Sequence, residues 1–115
     1  MMMRMTPAAN AAYRRERALA DTAPDPRTAW RHLERAHLLA QPFVVAHVGS
    51  HVAMLRLAGR ERDRSEILGQ VLRIVLAGPA SALGQVPAGN TGRAAVPLTA
   101  TGPVPPDIAE LLECP

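Results

Sequence analysis

Pro42 constrains this chain more than any other residue. It falls between two amphipathic stretches that both read as helix. A proline inside a helix removes a hydrogen bond and clashes with the carbonyl four residues back. The chain must therefore turn at Gln41-Pro42 and send the second stretch back along the first as an antiparallel hairpin. Asp25-Pro26 supplies a cap and a first helical position for the leading arm, which extends to about Gln41. The returning arm spans about 43–59 and ends near Gly59. Upstream, residues 8–20 are rich in Ala, Arg and Leu, all good helix formers. Downstream, Asp63-Arg64-Ser65-Glu66 has the spacing of a capping box and opens a fourth helix over about 64–77, with Gly78-Pro79 as its stop.

Past that point Gly and Pro dominate and charges thin out. The run from Val86 to Arg93 is turn chemistry, and Pro105-Pro106-Asp107 can open a last short helix over about 106–112. Val96, Leu98, Val104, Ile108 and Leu111 give this segment apolar anchors, so it is expected to wrap across the helices. The expected fold is all-α: a four-helix bundle-like single domain over 1–115. Residues 1–7 are expected to be disordered, 8–77 to form the helical core, and 78–115 to be an irregular wrapping segment. A chain of 115 residues can close one core. With Tyr13, Trp30 and Phe43 as its aromatics, that core must be aliphatic.

Charge and cysteine usage narrow the function. The 13 basic residues are all Arg against 10 acids, a net charge of +3, and acids interrupt the basic runs, as in Arg14-Arg15-Glu16-Arg17. That is the signature of a solvated face and argues against a nucleic-acid surface. Cys114 stands alone next to the C-terminus, which excludes a disulfide framework and a Cys-based zinc finger. No apolar stretch approaches the roughly 20 residues that span a bilayer, so the expected location is cytoplasmic. Self-association stays open.

All four histidines lie between positions 32 and 51. At about 100° per residue, Trp30, Leu33, Glu34, His37, Leu38 and Gln41 share one face of the leading arm. Phe43, Val44, His47, His51, Met54 and Leu55 share one face of the returning arm. The hairpin brings Glu34 and His37 opposite His47 and His51, inside apolar stripes. A buried imidazole or carboxylate needs a partner, and a divalent metal ion supplies one to all of them together. His37, His47 and His51 are the candidate ligands, with Glu34 as a fourth and Glu66 as a fourth or fifth. Three nitrogens and a carboxylate oxygen suit zinc best; iron, manganese, copper and nickel also take such donors. His32 falls off this face and reads as exposed. Gln70 and Arg73 share a side of the fourth helix with Glu66 and could support the ligands through hydrogen bonds. Met54 reads as core.

The competing reading is a non-catalytic helical-hairpin interaction module, with the His/Glu cluster as a buried hydrogen-bond network. The hairpin loosely resembles one tetratricopeptide unit, although stacking needs about three. Gly89-Asn90-Thr91-Gly92-Arg93 offers either a backbone nest for an anion or a clasp for the tail. Nothing in the sequence names a substrate or a reaction.

Ala29-Trp30-Arg31-His32-Leu33-Glu34-Arg35-Ala36-His37, followed by His47 and His51, Glu66 to Gln70 and Gly89-Asn90-Thr91-Gly92-Arg93, resembles a family of short bacterial proteins of unknown function. The resemblance spans about residues 10–112. It implies one compact domain and a loose association with heavy-metal-resistance neighbourhoods, and no established activity.

Overall fold

The computed structural model describes residues 4–82, 89–97 and 100–113. The expectations placed on Leu98, Cys114 and the first part of the Val86–Arg93 run lie outside the described residues, as do Met1 to Met3. Five helices follow in chain order: α1 (Pro7–Asp21), α2 (Pro26–Ala40), α3 (Val44–Glu61), α4 (Arg64–Ala82) and α5 (Pro106–Glu113). No strand occurs among the described residues, and the all-α class holds.

Local chemistry sets most boundaries. Thr6 caps α1 through Ala9 N at 3.1 Å, so that helix starts at Pro7 rather than residue 8. The Asp25 side chain caps α2 through Thr28 N at 2.7 Å. Gln41, Pro42 and Phe43 make the expected tight reversal. α3 runs past Gly59 to Glu61 because Arg62 takes the left-handed C-cap conformation instead, with φ 56°. Only half of the capping box at α4 forms. The Glu66 amide bonds to Asp63 Oδ1 at 3.1 Å, while the Glu66 side chain is drawn elsewhere.

The largest departure from the expected boundaries is at Pro79. α4 does not stop at residue 77 but continues to Ala82 with Pro79 inside it. The bond a proline removes is the one to the carbonyl of residue 75. Val75 is on the exposed side of the helix, where water can satisfy its carbonyl.

Successive helices pack as an open row: α1 on α2, α2 on α3, α3 on α4, with α5 returning across α2 and α1. One apolar cluster joins Ala20, Ala29, Trp30, Leu33, Ala53, Met54, Leu57 and Ala58. A second joins Tyr13, Ala36, Leu38, Leu39, Ala40 and Ile108. Met54 is core, as its place in the stripe suggests. His32 is half-buried rather than exposed: its Nδ1 lies 2.6 Å from Glu16 Oε2, and Arg35 Nε donates to the same carboxylate at 2.9 Å, tying α1 to α2.

α4 is amphipathic the wrong way round. Its buried face carries Glu66, Gln70 and Arg73, and its exposed face carries Leu68, Val71, Leu72, Val75 and Leu76. The inward polar face is what positions the site.

Candidate metal centre

His37 on α2 and His47 and His51 on α3 are all buried, at 2%, 6% and 3% exposure. Their Nε2 atoms form a nearly equilateral triangle: 3.1 Å from His37 to His51, 3.2 Å from His37 to His47, and 3.2 Å from His47 to His51. The hairpin explains the convergence. His37 precedes the Pro42 reversal by about a turn, His47 follows it by about a turn, and His51 lies one turn further along the same face.

Hydrogen bonds at the far side of two rings fix their protonation. His37 Nδ1 lies 2.8 Å from the Asn90 carbonyl, which can only accept, so Nδ1 carries the proton. His51 Nδ1 lies 2.8 Å from Gln70 Oε1. The Gln70 amide cannot be flipped, because its Nε2 donates to Glu66 Oε2 and to the Gly92 carbonyl, each at 2.8 Å. His51 therefore also carries its proton on Nδ1. Both rings aim a bare Nε2 lone pair at the centre of the triangle.

Protonation offers no relief. Burial, with the neighbouring imidazoles next in weight, holds His37 well below the ordinary histidine value. Burial and His51 lower His47 to about 4. Burial likewise lowers His51, against the opposing pull of Gln70. Near neutral pH all three rings are neutral. The His37–His51 pair then faces lone pair to lone pair, and a proton on His47 Nε2 could serve only one of the two at a time.

Glu34 and Glu66 do not join the triangle. Among the described residues, the group of ligand atoms lying within 4.8 Å of one another contains the three histidines alone. Both Glu66 oxygens are engaged: Oε1 accepts from Arg93 Nε at 2.6 Å, and Oε2 accepts from Ala94 N at 2.7 Å as well as from Gln70. Burial pushes the Glu66 carboxyl up, but these hydrogen bonds outweigh it and leave it below the usual range. Glu34 is half-buried and faces Arg93 Nη1 at 3.8 Å. Burial raises its carboxyl above the ordinary value.

The tail covers the site. Asn90 Nδ2 donates to the Pro97 and Ala100 carbonyls at 2.9 Å each, and its Oδ1 accepts from Gly92 N at 2.9 Å. This turn presents the Asn90 carbonyl to His37 and lays Gly92 on the ring. A Cβ at Gly92 would lie 2.7 Å from His37 Cδ2, and its φ is +86°. Arg93 stacks over Trp30, with its Cζ 3.8 Å from the ring centroid, while it holds Glu66. The Gly89–Arg93 run thus acts as a clasp on the helices. Asn90 and Gly92 are the site residues that sequence reasoning did not assign to the centre. Asn90 contributes to it through a backbone carbonyl, which leaves no mark on side-chain spacing; Gly92 is marked only by the turn-forming run around it.

A family model described as "Protein of unknown function (DUF3703)" matches residues 5–112, nearly the whole chain. The chain belongs to this DUF3703 family. No curated protein and no solved structure matches it. Family membership brings no activity with it, so any reading of the DUF3703 chain's function must rest on the histidine triangle.

Proposed function

We propose that this protein binds a divalent metal ion through Nε2 of His37, His47 and His51. The observation that carries the reading is the 3.1 Å separation of the His37 and His51 Nε2 atoms, both of which are held as bare lone pairs. Neutral imidazoles so arranged repel, and a shared cation turns that repulsion into coordination. The spacing suits it. Tetrahedral ligands at about 2.0–2.1 Å from zinc sit about 3.3–3.4 Å apart, slightly wider than the triangle. Zinc is our leading ion on donor type, with iron, manganese, copper and nickel as competitors for the same nitrogens.

Glu66 supports a ligand instead of serving as one. Glu66 anchors Gln70, and Gln70 orients His51, so Glu66 acts on the ion through two hydrogen bonds. Three protein ligands leave a further coordination position for water or an exogenous group. A hydrogen-bond network of the three rings alone is the poorer reading, because it leaves lone pairs opposed.

Elemental analysis of untagged protein is the test. We expect near-stoichiometric divalent metal in the wild type and loss of that metal in His47→Ala, with helical content retained. Wild-type protein that stays metal-free after reconstitution and dialysis, or full occupancy in His47→Ala, overturns the assignment.

A further inference from the structure

Among the described residues, nothing covers the outer face of α4. Leu68, Val71, Leu72, Val75 and Leu76 are 71%, 46%, 49%, 66% and 41% exposed, and they recur at the spacing of one helical stripe. The other end of the open row differs. α1 presents Arg14, Arg15 and Asp21 to solvent, the polar covering an end helix needs. α4 lacks that covering because its polar residues are turned inward: Gln70 supports His51, Glu66 anchors Gln70, and Arg73 holds the Gly69 and Val96 carbonyls.

We infer that this stripe is the contact between two copies of the chain, related by a two-fold axis through Leu72. The spacing is self-complementary. Leu68, Leu72 and Leu76 stand four residues apart, so an antiparallel α4–α4 crossing centred on Leu72 sets Leu68 against Leu76 of the partner subunit and Leu72 against its own equivalent. The valines at 71 and 75 flank that seam. No exposed charge interrupts α4 between Ser65 and Leu76. The Arg64 residues of the two copies fall at opposite ends of the seam, which removes like-charge repulsion. Between Ser65 and Leu76 the stripe therefore offers no charge to a partner of opposite sign, and apolar contact is what it has to give. The five side chains expose roughly 450 Å² of apolar surface, a patch of the size that is often functional. That is over half of the ~800 Å² each partner gives to a standard interface. Arg64, Ser65 and Pro79 extend it at the ends.

The inference stands apart from metal binding, and its test reads association and metal separately. Sedimentation of the wild-type chain at micromolar concentration is expected to give the dimer mass, and Leu72→Glu the monomer mass, with helical content and metal content unchanged. In a Cys114→Ser background, Leu72→Cys is expected to form a covalent dimer under a mild thiol oxidant about tenfold faster than Leu19→Cys on α1, because only residue 72 meets its own copy across the axis. A monomeric wild type, a Leu72→Glu protein that still dimerises, or equal cross-linking at residues 72 and 19 each overturns it.

Discussion

Two polar clusters lie side by side in this protein, and they differ in how far the chain itself completes them. Around Glu66, donors and acceptors match: Arg93, Gln70 and Ala94 supply hydrogen bonds to a carboxylate that can accept all of them. Around the histidines they do not match. Three buried Nε2 atoms sit 3.1–3.2 Å apart, and the hydrogen bonds behind His37 and His51 strip the proton from the side that faces inward. A complete cluster needs only the fold. At His37 and His51, well-made bonds on the outer side leave the inner nitrogens without a donor from each other, and that is the gap the proposed metal ion would fill. Gln70 belongs to both, and through it the Glu66 cluster keeps His51 in place.

The sharpest way to break this arrangement is at the tail. Gly92→Ala would put a methyl group 2.7 Å from the His37 ring at a φ of +86°, a conformation alanine tolerates poorly. Strain and crowding together should cost about 2–4 kcal/mol of stability. Chemical denaturation should show that loss, and the same variant should bind metal more weakly because the Asn90 carbonyl no longer meets His37. Unchanged stability and affinity would mean that the tail merely lies over the site.

Gln70→Leu tests the bridge between the clusters. It removes the acceptor that keeps the His51 proton on Nδ1, and it leaves all three ligand nitrogens in the chain. Outer partners of this kind are worth about 10–100-fold in metal affinity. Competition with a chromophoric chelator should show a decrease in that range, whereas His47→Ala should abolish binding. An affinity equal to wild type would separate the two clusters and make Gln70 a packing residue.

What could be read from the sequence follows the same division. The hairpin and the facing of His37, His47 and His51 rest on local rules: a proline that forces a turn, a cap at Asp25, and spacings of three and four. Those rules act within one or two turns of helix, so they survive folding unchanged. Glu34 is offered as a ligand by its spacing from His37 on one helix face, and Glu66 as the carboxylate that opens the next helix. Neither rule sees tertiary competition: Arg93, 27 residues downstream, takes Glu66 Oε1. In α4 the shared side of Glu66, Gln70 and Arg73 is legible and Gln70 takes the supporting role it suggests, but the apolar stripe alone would point the other way. A stripe of Leu and Val normally faces a core, and here it faces out, because Glu66, Gln70 and Arg73 find partners on the inside. Nothing within the helix shows which face wins; the partners lie on α3 and in the tail. The continuation through Pro79 depends likewise on where the residue 75 carbonyl points.

The smallest effect should come from the complete cluster alone, and its pH dependence isolates it. Glu66→Gln keeps the shape of the side chain, removes its charge and turns one accepting oxygen into a donating amide, so the Arg93 contact loses its ionic part and one set of donors meets a donor. Allowing for the partial exposure of Arg93, the loss should be about 1–2 kcal/mol near neutral pH. The Glu66 carboxyl lies below its ordinary value of 4.5 in the folded chain, so folding favours its ionised form. The stability it adds is therefore fully present above the unfolded value and is lost as pH falls through the lower folded value. The difference between wild type and Glu66→Gln should accordingly be constant above that range and shrink below it, when both are measured by urea unfolding in the His47→Ala background so that metal does not contribute. A difference that stays flat into the acid range would show that the Glu66 charge adds nothing, and that Arg93 is held chiefly by its stacking on Trp30.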